Sequence, residues 1–597
     1  MFTGREAGCT PDSGTNIPIS LLLTNDAMNG IFSGKRAWWK EGIVYQVYVR
    51  SFKDSNGDGI GDLKGMLAAV DYIAALGVDM VWINPVLASP NNDNGYDIRD
   101  FRAIMKEYGT MKDFEALLKA LHKKNIRLIM DFVLNHTSDE HQWFKKAKRS
   151  RKSPYYQYYH WWPEENGKPP KRYSFFDPKG DAWTYNKATR SWYLHYFSAK
   201  MPDLNWEHEP VRNEMLDNVR FWFDKGVDGL RLDAVTYLSK DTSWPVISDK
   251  DIREKYREDW SYYLSQGPQL HEYLRELHDK VLQFYDVTTI AEAPGISHEE
   301  APDFVKEERK ELQMLYHFEG MQLGYAKSGF KRPDPDGYDL LKFKEIYSRW
   351  DKVFSRQGWG TVYLGNHDQP RMVSRWGNEA PGFRNVSAKM LITFLLTMRA
   401  TPIFYNGDEL GMANIRFENI NDYRDVETLS MYQYLEHQGE DLEAFLRDQQ
   451  FGARDNARTP FQWSGEKHAG FTNGEPWIKV NPDHVYVNAK AQVEDPDSVL
   501  NFFRKMVQLR KERLVLVYGE YQLEEPFHQQ LYVYTRRMKK EGVLVVLNFS
   551  PQVVPFQLPH WFTLKEVLLN NVNVFQMNET TLTLLPYQAL ILDCKSQ

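Results

Sequence analysis

"GLRLDAV", residues 229–235, is a short apolar run that carries an arginine and an aspartate two positions apart. In a β-strand side chains alternate between faces, so Arg231 and Asp233 share one side while Leu230 and Leu232 take the other. Two charges on one face of a buried strand are costly unless they pair or do chemistry. Alone, such a pair reads as a structural ion pair. Its neighbours along the chain decide otherwise.

Seven further strand-like runs recur: "IVYQVYVRSF" (43–52), "MVWINPV" (80–86), "IRLIMDFVLNH" (126–136), "VTTIAEAPG" (287–295), "LQMLYHF" (312–318), "GTVYLGNHD" (360–368) and "TPIFYNGDELG" (401–411). Between them lie stretches such as 63–77 and 111–125 with apolar residues at helical i, i+3, i+4 spacing. Eight strands alternating with helices predict an α/β fold, a (β/α)₈ TIM barrel. The barrel is expected over 36–136 and 206–514. The intervening residues 137–205, thick with Trp, Tyr, Lys and Pro, predict an inserted B domain over the barrel mouth. From 515 to 597 alternating runs bounded by turn residues predict a C-terminal antiparallel β domain. Residues 1–35, rich in Gly, Ser, Thr and Asn, read as a disordered leader, with Met28 an alternative start.

Composition narrows the function. The chain has 597 residues, a net charge of −7, 42% hydrophobic and 26% charged residues, and it offers no basic footprint for nucleic acid. No apolar run is long enough to span a bilayer. Cys9 and Cys594 supply no disulfide framework, which suits a cytoplasmic setting and leaves a periplasmic one open. A monomer or weak oligomer is expected. The aromatic content of 14% is high, and planar rings make platforms for sugar faces.

Catalytic groups of such barrels sit at the C-terminal ends of the strands. Here those ends carry Asp131, Asn135 and His136, then Arg231 and Asp233, then Glu292, then Asn366, His367 and Asp368. Glycosidic cleavage needs two carboxylates in different states, an ionised nucleophile and a protonated acid. Asp233 suits the first because Arg231 favours its charged form, and Glu292, within "TIAEAPG", suits the second because an apolar setting favours the neutral acid. Asp368 can steady charge developing on the sugar ring, and His136 and His367 can donate to its hydroxyls. No Ser-His-Asp elbow, phosphate loop or HExxH motif competes.

The motifs "DFVLNH", "GLRLDAV", "AEAPG" and "LGNHDQPR", in this order, resemble the signature regions of the α-amylase superfamily of glycoside hydrolases. "SPNNDNGYDI", "MPDLNWE" and "RDNARTPFQW" resemble its α-glucosidase and oligo-1,6-glucosidase branch over residues 36–597. The resemblance implies a catalytic barrel, an inserted B domain, a β-sandwich C domain and retention of configuration through a covalent glycosyl-enzyme. It implies Asp233 as nucleophile, Glu292 as acid/base and Asp368 as transition-state stabiliser. Around the sugar it implies Arg231, His136, His367, Tyr96 as stacking platform, and Phe197. Asp93 with an arginine of "RDNAR", Arg454 or Arg458, would close the pocket on a terminal glucose, so that single units leave the chain ends of small oligosaccharides. Met201 and Phe461 depart from the family pattern and are expected to bear on the leaving-group side. Ala234, after the nucleophile, stands where relatives acting on α-1,6 bonds tend to carry Val, which implies that maltose is hydrolysed at least as well as isomaltose.

The loop "DSNGDGIGDL", 54–63, sets Asp54, Asn56, Asp58, Ile60 and Asp62 at alternate positions, like the start of an EF-hand loop, with Ile60 contributing its carbonyl. A polar turn without metal is the plain alternative. The family resemblance implies a structural Ca²⁺ there, or Mg²⁺ in its place, and no organic cofactor. Two other readings stand beside hydrolysis: a transglycosylating or trehalose-6-phosphate-type relative, and a catalytically silent one. The "RLDRD" loop of sucrose isomerases is absent, the comparable region reading "KRPDPDG" (331–337), and all three carboxylates argue against silence.

Overall fold

The computed structural model describes residues 36–594, so the expected leader lies outside the described residues. All eight predicted barrel strands form: Val44–Val47, Met80–Ile83, Arg127–Val133, Gly229–Asp233, Thr288–Ala293, Met314–His317, Thr361–Val362 and Thr401–Tyr405. Each pairs in parallel with its neighbour in chain order, and the eighth returns to the first through Val44 and Ile403. An isolated parallel bridge between Leu315 and Gly360 joins the sixth strand to the seventh and closes the ring. The strands are apolar throughout because both faces are covered, by side chains inside and helices outside.

The helices follow from local chemistry. Met111–Lys123 starts in a capping box formed by Thr110 and Asp113 and buries Phe114, Leu117, Leu118 and Leu121 on one stripe. The expected helix over 63–77 is instead two, Leu63–Ala68 and Val70–Leu76, broken at Ala69, whose φ of −97° and ψ of 1° leave the helical region. A two-stranded hairpin, Leu87–Ala88 with Asp100–Ile104, follows the second barrel strand and was not anticipated; its strands are too short for a period-two signal.

Within 137–205 a three-stranded antiparallel sheet has Ser191–Leu194 at its centre, flanked by Trp161–Pro163 and Trp183–Asn186. Antiparallel bridges between His136 and Asp203 and between Tyr159 and Leu204 fasten its entry to its exit. At the C-terminus a five-stranded sheet faces a three-stranded one, their inner residues Leu531, Val533, Leu544, Val546, Phe556, Leu582 and Leu592 forming one core. This sandwich is tied to the barrel by buried cations. From its sandwich strand Arg536 donates to the carbonyls of Thr397, Leu516 and Gly519, while Arg510, on the barrel side, donates to those of Leu396, Met398 and Ala400, so the C-terminal carbonyls left open by helix Arg384–Thr397 find donors.

Candidate active site

The strand alternation places Arg231 and Asp233 side by side, with Nη1 of the arginine 2.6 Å from Asp233 Oδ1. The same nitrogen reaches Asp131 Oδ1 at 2.9 Å, and Nη2 lies 2.7 Å from Glu292 Oε1. Three carboxylates from the third, fourth and fifth strands therefore share one guanidinium, which Tyr316 of the sixth strand holds from the far side through its hydroxyl at 2.6 Å. The Ala234 amide adds a donor to Glu292 Oε2 at 2.8 Å. Ala234 holds that amide in a left-handed turn, φ 47°.

This corrects the electrostatic expectation for both carboxyls. Glu292 has apolar sequence neighbours, yet its side chain accepts an ion pair and an amide bond, because the residues beside it in the barrel are not those beside it in the chain. Asp233 has the arginine, but burial first, and then the charge of Glu292, push its pKa well above the usual carboxylate range against the pull of Arg231.

Asp368 stands in the opposite condition. Burial opposes its charge, but His367, Arg454 and Arg458 outweigh that and hold its pKa far below the ordinary value. Arg458 Nη2 is 2.6 Å and Arg454 Nη1 3.2 Å from Asp368 Oδ1. Arg454 also reaches Asp93 at 3.0 Å and binds Asp425. Of the two candidate arginines, Arg454 thus makes the pair with Asp93. Both partners are nearly inaccessible, and the pair closes that end of the site.

Tyr96, His367 and Gln46 form a relay of fixed direction. Gln46 Nε2 can only donate, so His367 Nδ1, 2.9 Å away, accepts and Nε2 carries the proton, 2.6 Å from the Tyr96 hydroxyl, which in turn donates to Asp131 at 2.8 Å. His136 lies apart from this chain, its ring packed 5.2 Å from that of Phe197. Burial, then the Lys240 ammonium, lower its pKa to about 3, against a smaller opposing pull from the Tyr96 backbone.

A cavity of about 320 Å³ opens over these groups, walled by Glu292, Asp368, Arg454, Phe197 and Ala234. Lys331, Glu427 and Asp259 also line it and were missed by sequence reasoning, as was the anchoring role of Asp425. Glu427 stands in the first turn of a helix, Asp259 and Asp425 are helix N-caps and Lys331 lies in a loop, and only the fold brings them to the mouth. Met201 and Phe461 do not line the cavity. Phe461 packs into an aromatic cluster 5.1 Å from Phe52 and 4.6 Å from Trp463.

The 54–63 loop sits away from these contacts, against residues 471–477. Its donors are all oxygens, the right chemistry for a hard cation. Asp54 accepts from the amides of Asn56, Gly57 and Gly59 and from the Thr472 hydroxyl, Asp58 from the Ile60 amide, and Asp62 caps the following helix through Gly65. Among the described residues no three His, Cys, Asp or Glu side chains are gathered as a metal-holding group.

Comparison with known proteins agrees with the geometry. The profile described as "Alpha amylase, catalytic domain" matches residues 46–519, and that of "Alpha-amylase SusG C-terminal domain" matches 531–591. An oligo-1,6-glucosidase of Bacillus cereus is 43% identical over 94% of this chain and 100% of its own length. One from Parageobacillus thermoglucosidasius is 45% identical over 93% and 99%. The crystal structure of an isomaltulose synthase from Klebsiella sp. LX3 superposes with a TM-score of 0.90 at 41% identity, covering 94% of this chain and all of that one. A closed eight-stranded barrel with three carboxylates on one arginine, matched over nearly its whole length, places the chain in the α-amylase family of glycoside hydrolases.

Proposed function

We propose that the chain is a retaining, exo-acting α-glucosidase that removes glucose from the non-reducing ends of short α-glucosides by double displacement. The observation that carries this is the division of charge: Asp233 and Glu292 share Arg231, while Asp368 is anchored separately by Arg454 and Arg458. In this mechanism Asp233 faces the anomeric carbon as the nucleophile and Glu292 faces the leaving oxygen as the acid. Asp233 attacks, the bond to the leaving oxygen breaks, and the Glu292 proton passes to that oxygen. Glu292 then takes a proton from water, whose oxygen displaces Asp233 and restores the α configuration. Asp368, kept ionised, faces the positive charge of both transition states.

The buried Arg454–Asp93 pair supports removal of single terminal units, since a longer chain has no exit past it. Linkage is drawn two ways. The relatives named oligo-1,6-glucosidases favour isomaltose-type bonds, whereas the small Ala234 on the cavity wall leaves room for a 4-linked sugar. Both are proposed substrates, with Ala234 setting the ratio. Ala234→Val should lower the maltose-to-isomaltose ratio of kcat/KM by about 10-fold, the scale of a small apolar change in a pocket. An unchanged ratio would remove the residue from specificity. A second reading, transfer of the glucosyl group to a sugar, is favoured by the likeness to an isomaltulose synthase. Incubation with maltose, isomaltose, sucrose, trehalose and trehalose 6-phosphate, with the product anomer read by NMR, decides between them. Free α-glucose supports hydrolysis with retention, rearranged disaccharide supports transfer, and β-glucose overturns the double displacement.

The proposal includes a structural Ca²⁺, or Mg²⁺, held by Asp54, Asn56, Asp58, Asp62 and the Ile60 carbonyl, remote from the chemistry. The support is the oxygen-only donor set at EF-hand spacing.

A further inference from the structure

Lys240 is wholly buried, and so is its acidic partner. Its ammonium donates to Asn135 Oδ1 at 2.7 Å and to the Tyr237 carbonyl at 2.7 Å, and it pairs with Asp203 Oδ2 at 3.0 Å. Two hydrogen bonds and one ion pair thus hold the ammonium in place. The partners come from three segments that meet nowhere else in the same way. Asn135 ends the third barrel strand, next to His136. Asp203 lies on the return from the inserted sheet and bridges His136. Tyr237 follows the Asp233 strand by one turn and lines the catalytic cavity.

A buried ion pair contributes little net stability over a well-packed apolar pair, so its worth is sought in what it orients. An ammonium can only donate, and this fixes which end of the Asn135 amide is oxygen. The other end, Nδ2, then faces His136 Nδ1 at 3.3 Å. Nδ2 also only donates, so Nδ1 must accept and the ring proton sits on Nε2. That Nε2 is buried and makes no hydrogen bond among the described residues. A buried N–H left without an acceptor is costly, and a ligand hydroxyl would relieve it.

We infer that Lys240 is a positioning residue: acting through Asn135, it sets the tautomer and orientation of His136 and so the grip of the pocket on a glucosyl unit. The inference rests on the reading of the cavity as a glucoside pocket that His136 borders through Phe197, which lines it. The test is a double-mutant cycle on the full chain with 4-nitrophenyl α-glucoside, comparing His136→Ala, Lys240→Met and the double variant. Lys240→Met should lower kcat/KM by about 30-fold, within the range of coupled neighbours, and divide the loss between kcat and KM as His136→Ala does. In the His136→Ala background the same change should cost less than about 3-fold. Losses that multiply in the double variant, or a different kcat–KM division, would overturn the inference, since a lysine that merely holds the fold would act regardless of His136. Should Lys240→Met not fold, Asn135→Ala carries the same comparison while leaving the Lys240–Asp203 pair in place. An His136→Ala enzyme of unchanged kcat/KM would overturn the pocket reading itself, and the inference with it.

Discussion

Arg231 divides one positive charge among Asp131, Asp233 and Glu292, so none of the three has a full counter-charge. Asp233 is held where burial and the neighbouring Glu292 disfavour its charged form, so its ionised state costs stability. A carboxyl whose pKa is raised on folding stabilises fully below its unfolded value and loses that contribution as pH rises through the folded one. Asp233→Asn should therefore abolish turnover, by about 10³-fold or more, while raising thermal stability at neutral pH by about 1 kcal/mol. The gain should fade as pH falls to about 4, below which the carboxyl is protonated in the folded and the unfolded chain alike. A variant less stable than wild type at pH 7 would contradict that account. Glu292→Gln should lose about 10² to 10⁴ on maltose and far less on an activated aryl glucoside, whose leaving group needs no proton. Equal losses on both substrates would count against its role as acid. The Arg231–Asp233 contact was legible in the sequence because strand alternation is a local rule. The setting of Glu292 was not, because its partners arrive from the neighbouring strand.

At the scale of elements, each of the eight strands could be found from a short apolar run, though the seventh is only Thr361–Val362 and owes its place to its partners. The helix after the eighth strand, Val426–Gln438, shows what could not be found. Asp425 caps it through the amides of Glu427 and Thr428, and the same carboxylate anchors Arg454, so a cap and a pocket wall share one side chain. Nothing in "NDYRDVET" signals the second role, since Arg454 stands far along the chain. The 54–63 loop joins the first strand to the helix capped by Asp62 and reaches across to Thr472. A cation bound there only in the folded state adds stability by mass action. EDTA should lower the melting temperature before it lowers activity, and calcium should restore it. An unchanged melting temperature, with no metal by elemental analysis, would leave the loop a polar turn.

Across the whole molecule, the barrel and the C-terminal sandwich are joined by aromatic packing, Phe343 and Phe394 against Tyr532, and by the buried cations Arg536 and Lys344. Lys344 donates to the carbonyls of Glu525, His528 and Leu531 in the turn between two sandwich strands. Arg536→Leu would strand several buried carbonyls, each costing about 1–3 kcal/mol when unmet. It should lower the melting temperature clearly, while kcat of the folded enzyme stays within about two-fold of wild type. A large loss of kcat without a loss of stability would show that the sandwich acts on the site. The sandwich strands begin at Glu520, and the change from helical to strand periodicity was readable in the sequence. The cationic seam was not, because buried arginines look like surface ones in a sequence.

The Asp93–Arg454 pair gives the catalytic cavity a shut floor, and a room with one door imposes an order on its traffic. The aglycone must leave before water can enter, and glucose, released deepest, is always last out. Glucose should then compete with incoming substrate for the same seat, whereas the aglycone, waiting at the threshold, is the molecule best placed to turn back and recapture the sugar.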